Sequence, residues 1–319
     1  MAELYKGSRY SLRQLRYFLT IAEEGTLSGA AQRLRVSQSA VSLALTELER
    51  GLKVQLCVRR KARGVTLTPS GRRVLRQARE LLRQAEELEM EALNSDGQLS
   101  GPLSVGCFMA LAPVVLPRLL QDFEERHPRV TIDFEEGYTQ DGLQRRLLAG
   151  ELDLSILYDV DVQPEIDRVE LFRLRPYILL PESHRLADRP VVALRDLAEE
   201  PMVLLQAPPS TQHSLMLFHE VGVAPVVRYR VTSFETARAL VGRGLGYALA
   251  IQRPPVERTY EGLRVVCKDI AELPTYALGV MLAWPRDTTL TRRAREFIRH
   301  SLDTHWSAHD RGREVHEFL

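Results

Sequence analysis

The segment from Ser28 to Arg50, SGAAQRLRVSQSAVSLALTELER, admits few folds. Its apolar positions read as two short helices joined by a tight turn. Ala31, Leu34, Val36, Val41 and Ala44 fall where such a pair must touch itself. Ala31 is small enough for the second helix to cross closely, while Leu34, Val36 and Val41 fill the angle between the two. Gln38, Ser39 and Ser42 are left on the outward face of the second helix. A pair of this shape fits a DNA major groove, where glutamine can pair with an adenine edge through two hydrogen bonds. An ordinary helical hairpin with a solvated polar face is the competing reading, and the motif alone does not decide between them.

Charge favours the first reading. The whole chain is nearly neutral, with 43 Lys+Arg against 42 Asp+Glu. Residues 1–79 hold 16 basic and 5 acidic side chains, a net of +11, so the remainder carries 27 basic and 37 acidic groups, a net of −10. A basic first quarter on an acidic body is the footprint of a separate nucleic-acid-binding module. No aromatic-rich strand of the kind that stacks unpaired bases accompanies it, which argues against RNA.

The basic module extends on both sides of the hairpin. Leu12 to Glu24 is an amphipathic helix, with Leu12, Leu15, Phe18, Leu19 and Ala22 along one face. Val54 to Val58 and Val65 to Leu67 read as two short strands around a cationic tip, Arg59, Arg60, Lys61 and Arg63. Such a wing, with Arg35, would lie against phosphates and add affinity and register rather than sequence information. Thr68-Pro69-Ser70-Gly71 then opens a helix. In it Val74, Ala78, Leu81, Ala85, Leu88 and Ala92 recur at spacings of 4, 3, 4, 3 and 4. A strict 3.5-residue repeat favours a seam between two helices, so this reads as a dimerisation helix, with a core-facing helix as the alternative.

From Leu103 onward strands and helices alternate, which argues for mostly parallel sheets covered by helices. About 200 residues of this texture would make two α/β lobes with a cleft between them, and ligands bind open α/β sheets at the carboxyl ends of strands. That rule selects Thr139, Tyr158, Ser210, Thr211, Thr232 and Phe234 as cleft residues; Ser210 also reads as an ordinary helix cap and Tyr158 as core. His213 and His219 read as surface histidines. Cys57, Cys107 and Cys267 are far apart, without metal-ligand spacing, and read as reduced, buried thiols of a cytosolic protein. No apolar run approaches the ~18 residues of a membrane span, and the first residues lack the apolar core of a signal peptide.

The block LRQLRYFLTIAEEGTLSGAAQRLRVSQSAVSLALTELERGLKVQLCVRR, with GVTLTPSG after it, resembles the LysR-type transcriptional regulators of bacteria. The segments LPRLLQDFEERHPRVTIDFEEG, LLAGELDLSIL and VGRGLGYALAI resemble their effector-binding domain, so the likeness spans residues 11 to about 302. It implies an α/β chain with an N-terminal winged helix-turn-helix (1–68), a linker and dimerisation helix (69–94) and a short linker (95–102). A periplasmic-binding-protein-like sensor (103–302) and a tail (303–319) follow. Lobe I would take about 103–170 plus 272–302, and lobe II about 171–271. It further implies a homodimer or homotetramer, double-stranded promoter DNA and a small-molecule effector as partners, and RNA polymerase as a candidate contact. No cofactor and no metal are called for.

This chain departs from the family pattern in three places. Leu43 stands where a basic residue often follows the serine matching Ser42, and Cys57 replaces the usual aromatic. The turn after the first sensor strand is Cys107-Phe108-Met109-Ala110 instead of one carrying a serine or threonine. Phe108 and Met109 therefore suggest an apolar wall, and the helix start at Ser210-Thr211 suggests an anion, together a small, partly apolar or aromatic acid. An enzyme or metabolite-binding protein with an accessory DNA domain is the rival reading. Gly242-Arg243-Gly244-Leu245-Gly246 is no support for it, because it follows a helix and precedes a strand, the reverse of a dinucleotide loop. Neither a GxSxG elbow nor a GxxxxGK phosphate loop is present.

Overall fold

Helix α1 (Leu12–Glu24) begins at a reciprocal cap: Ser11 Oγ accepts from Gln14 N, and the Gln14 side chain accepts from Ser11 N at 2.9 Å. Thr26 and Ser37 cap α2 (Leu27–Leu34) and α3 (Gln38–Leu52) one way only, accepting from Gly29 N and Ala40 N, so each start is set by a side-chain oxygen. The inward residues Leu15, Phe18, Ile21, Ala30, Ala31, Val41, Leu45, Leu48 and Leu56 meet in one core. The structure is a computed structural model and describes residues 9–60, 64–93, 98–137, 139–206, 210–254, 256–273 and 276–306.

The wing is an antiparallel pair, β1 (Cys57–Arg60) with β2 (Gly64–Leu67). Its first strand begins three residues later than the apolar run predicts, because Leu56 turns into the core instead of pairing across the wing. Gly64 lies against the α1–α2 turn, where Val65 N donates to Gly25 O at 2.7 Å. A Cβ at Gly64, whose φ is +75°, would fall 2.3 Å from that same oxygen. Close approach and positive φ together require glycine there.

Helix α4 (Pro69–Leu93) follows, with Thr68 Oγ1 accepting from Gly71 N at 2.8 Å. It does not use the predicted seam as one surface. Ala78 is 1% exposed and joins Leu75 and Leu82 in the core of the N-terminal module, with Val74 packed beside them. Leu81 and Leu88 are 40% and 68% exposed, Ala92 is exposed and Ala85 partly so. The reason is rotational. At about 100° per residue Leu75 and Leu82 fall to one side of Ala78 and Leu81 about 60° to the other, so the core takes Leu75, Ala78 and Leu82 while Leu81 stays outside it.

The remaining chain builds two lobes. Lobe I contains β3 (Gly101–Phe108), α5 (Ala112–Arg126), β4 (Val130–Gly137), α6 (Gln140–Leu148), β5 (Leu154–Tyr158) and β6 (Ile166–Leu174). Lobe II contains β7 (Tyr177–Pro181), β8 (Val191–Val192), β9 (Pro201–Leu205), α7 (Ser210–Glu220), β10 (Val226–Val231), α8 (Phe234–Gly242), β11 (Ala248–Ala250) and β12 (Val265–Ile270). The chain then returns to lobe I with β13 (Leu278–Pro285) and α9 (Arg292–Asp303).

The lobe I sheet has the order β4-β3-β5-β13-β6, and the lobe II strands form β11-β7-β12-β8 and β10-β9. Two expectations are corrected here. The sheets are mixed: β3 pairs in parallel with β4 and β5, but β13 runs antiparallel to both β5 and β6, and β7 is antiparallel to β11 and β12. Strands entering from the other lobe arrive without a helical crossover, so nothing forces them parallel. Lobe I also keeps the whole of β6, so its first segment ends near Leu174, not at 170.

One substitution tests the seating of α4. Gly71 is helical, where alanine ordinarily stabilises by ~0.5–1 kcal/mol, yet an added Cβ would lie 2.1 Å from Leu56 O. Gly71→Ala is expected to lower stability by about 1–3 kcal/mol in thermal unfolding of the full chain. A raised melting temperature would show that α4 does not start against that carbonyl.

Candidate functional site

The outward face of α3 is polar at its start and apolar one turn on. Gln38 and Ser39 are exposed, and Ser39 Oγ lies 2.9 Å from Ser37 Oγ, the cap. Ser42 is half-buried and Leu43 is 60% exposed, while Thr46 turns its hydroxyl back to Ser42 O at 3.0 Å. The outward stripe along the first two turns of α3 is therefore Gln38, Ser39, Ser42 and Leu43. Arg35, exposed with φ +55°, ends α2 beside it. Arg59 and Arg60 close β1; Lys61 and Arg63 lie outside the described residues.

Glu49 fixes the wing relative to α3. Its Oε1 accepts from Leu56 N at 2.7 Å and Cys57 N at 3.1 Å. Sequence reasoning missed this residue, since an acidic side chain on a basic module reads as surface. Helix α3 and the start of β1 are thus joined through that carboxylate oxygen, alongside the Val65–Gly25 backbone bond that ties β2 to the α1–α2 turn.

A second set of contacts ties α4 to lobe I. Arg79 donates to Ala149 O at 2.8 Å, and Arg83 pairs with Asp153 at 2.7 Å. Asp153 Oδ2 also accepts from Ser104 N at 2.9 Å, so it joins β3 to the helix. Glu87 accepts from Arg292 N at 2.8 Å and pairs with the buried Arg293, which also donates to Pro102 O. Residues 79, 83 and 87 lie at four-residue spacing on one face.

The third site is the seam between the lobes. Tyr158 and Leu278 line it from lobe I, and Leu205, Ser210, His213, Ser214, Leu249 and Ala250 from lobe II. Pro176, Ile251 and Gln252 stand where the chain passes between them. It encloses about 410 Å³ of empty space counting its mouth, with room at its centre for little more than water. Tyr158 is 1% exposed and its hydroxyl accepts from Gln252 Nε2, while the Tyr177 hydroxyl donates to Gln252 O at 2.6 Å. Burial pushes the Tyr158 hydroxyl far above its ordinary pKa, so it stays protonated.

Of the residues expected at this cleft, Tyr158 and Ser210 line it. Phe108 is buried in the lobe I core behind Tyr158, ring edge to face at 5.7 Å, and does not reach the cavity. Met109 follows it, outside the lining. Thr139 caps α6, accepting from Gly142 N at 3.1 Å. Thr211 donates to Leu205 O at 3.0 Å, which occupies the hydroxyl meant for an anion. Thr232 is exposed, and Phe234 packs on the lobe II core beneath Arg238. These six positions sit at strand ends or helix starts as expected, but none lines the cleft: Thr139 caps a helix, Thr211 bonds back to a strand carbonyl, Thr232 faces outward, and Phe108 and Phe234 pack on the cores. His213 went unrecognised: it is not a surface residue but lines the cleft. A histidine one turn into a helix that opens at a strand end is the signal that could have found it.

The three cysteines belong to three different cores: Cys57 to the winged module, Cys107 to lobe I and Cys267 to lobe II. Burial pushes the Cys107 thiol well above its usual pKa, so it is not a reactive thiolate. No described helix is long and apolar enough to cross a membrane, and no group of three metal-ligating side chains occurs among the described residues.

Residues 12–72 match the model of the bacterial regulatory helix-turn-helix protein, lysR family, and residues 96–306 match that of the LysR substrate binding domain. A winged reader carried on a long helix before such a domain defines a DNA-binding transcriptional regulator with an effector-binding domain, and not an enzyme. The chain belongs to the LysR family. It is 30% identical over 301 residues to the DNA-binding transcriptional dual regulator OxyR of Escherichia coli K12, covering 93% of this chain and 97% of that one. The structure of HinK, a LysR family transcriptional regulator from Pseudomonas aeruginosa, is 37% identical with a TM-score of 0.62, covering 92% and 98% of the two chains. Full-length CbnR in complex with its target DNA is 25% identical with a TM-score of 0.54, covering 92% and 100%.

Glu49 gives this site its own test. Glu49→Ala leaves the amides of Leu56 and Cys57 without their acceptor, a cost of about 1–3 kcal/mol. The expected result is a lower melting temperature and weaker binding to every DNA sequence. Unchanged melting and unchanged DNA affinity would show that the α1–α2 turn alone holds the wing.

Proposed function

We propose that this regulator acts in the cytoplasm as a dimer, two of which join as a tetramer, on promoter DNA beside RNA polymerase. Gln38, Ser39 and Ser42 read base edges, and Arg35, Arg59, Arg60, Lys61 and Arg63 contact phosphates. The observation that carries this reading is the exposed polar start of α3, held rigidly to the wing by Glu49. The exposed Leu43 adds an apolar contact suited to a thymine methyl. A small-molecule effector binds between the lobes, where Tyr158, Leu205, Leu249, Ile251 and Leu278 offer it apolar walls. It can alter DNA binding only by favouring one arrangement of the assembly over another.

DNA selected by the protein itself from a randomised pool provides the test. Gln38→Ala should weaken binding to the selected sequence by about 1–3 kcal/mol and leave binding to its scrambled counterpart unchanged. Arg59→Ala with Arg60→Ala should weaken both and flatten the dependence on salt. Equal affinity of the Gln38 variant and the parent for the selected DNA would remove the base-reading role.

Assembly is tested separately. With Leu81 and Leu88 exposed on one chain, Leu88→Glu is expected to place like charges in the helix pair and yield monomers by light scattering. It should also lose binding to two half-sites. An unchanged oligomer would assign the α4 face to solvent.

A further inference from the structure

His213 stands one turn into α7 with its ring tilted against Tyr276, centroids 5.3 Å apart. Its Nδ1 lies 3.3 Å from the Tyr276 hydroxyl. Its Nε2 is buried and has no hydrogen-bond partner, although the residue lines the cleft. An orphan buried nitrogen costs stability unless something completes it.

Elementary chemistry assigns the proton. A phenol is a better donor than an imidazole N–H, and an imidazole nitrogen a better acceptor than a phenol oxygen. Burial keeps the Tyr276 hydroxyl protonated by raising its pKa. The hydroxyl therefore donates to Nδ1, which leaves the ring proton on Nε2. Burial also holds His213 below its ordinary pKa, so the ring is neutral near pH 7. Among the described residues the cleft lining carries no formal charge, and His213 Nε2 is its one buried nitrogen without a partner: every other described lining residue is apolar or an uncharged serine, glutamine or tyrosine. An ionised ligand would lose its hydration there without meeting a counter-charge.

We propose that the effector is a neutral, mainly apolar molecule with one hydrogen-bond acceptor, and that His213 Nε2–H is the group that recognises that acceptor. This rests on the inter-lobe reading above, and it replaces the expected acid with an uncharged carbonyl-type compound. Because the seam is nearly closed, such a ligand must part the lobes to enter, which links occupancy to their relative position.

Three probes of similar size separate the possibilities: methyl benzoate, propylbenzene and benzoate. Each is titrated calorimetrically into the full-length protein. Methyl benzoate is expected to bind about tenfold more tightly than propylbenzene, the worth of one hydrogen bond, with benzoate weakest. His213→Phe keeps the ring and its stacking on Tyr276 but removes the donor. It should abolish the preference for methyl benzoate while leaving propylbenzene unchanged. Ala250→Phe fills the cleft and should abolish binding of all three. Melting temperatures close to the parent's establish that both variants fold. If benzoate binds most tightly, or His213→Phe retains the preference, the His213 inference fails while the cleft stands. If no probe binds the parent, or Ala250→Phe binds them all like the parent, the inter-lobe reading itself fails.

Discussion

The relation between sensing and DNA reading depends on α4 being held by both the winged module and lobe I. Its first turns are part of the winged module's core through Leu75, Ala78 and Leu82. Its middle is clamped to lobe I by Arg79, Arg83 and Glu87. Exposed ion pairs are worth little, but Arg83 and Asp153 keep only 17% and 12% of their side-chain surface in water. Breaking a shielded pair leaves an uncompensated charge, so such a contact is held or released rather than gradually loosened. A helix of 25 residues is also a rigid rod about 37 Å long. A rotation of lobe I is therefore passed directly to the winged module through the turns of α4 that both of them grip.

Much of this was legible in the chain. The predicted and observed α1 share the same bounds, since a capping serine and a C-terminal glycine mark both ends. The three-helix module, the wing and the alternating lobes follow from apolar periodicity and from Thr68-Pro69-Ser70-Gly71. Periodicity could not say which partner an apolar stripe meets. Val74 through Ala92 is one stripe in sequence and two surfaces in space, because the module's core takes Leu75, Ala78 and Leu82 and leaves Leu81 beside them exposed. Strand direction was equally hidden: a strand has the same composition whether it follows a helical crossover or returns from another lobe, as β13 does.

The cleft was the least legible part. Strand ends located its neighbourhood, yet Phe108, Thr139 and Thr211 turn inward or back onto their own backbone. A hydroxyl at a helix start satisfies the first free amides, and this local demand competes with a ligand for the same atom. Residues further along a helix, such as His213, carry no such obligation and are free for specificity. Strand-end rules therefore point to the right region but select helix caps ahead of contact residues.

Lobe I is discontinuous: β13 lies between β5 and β6, and α9 covers the same core with Phe297. During synthesis, residues 98–174 emerge first but lack the strand that joins β5 to β6. Their sheet therefore waits with two unsatisfied edges while all of lobe II is made. The lobe that binds α4 is thus completed last, after residues 278–303 have left the ribosome. A nascent chain in this state already carries every residue of the winged module's core, beside a lobe whose sheet is not yet closed. The sheet that α4 rests against can therefore close only after the whole of lobe II has been translated.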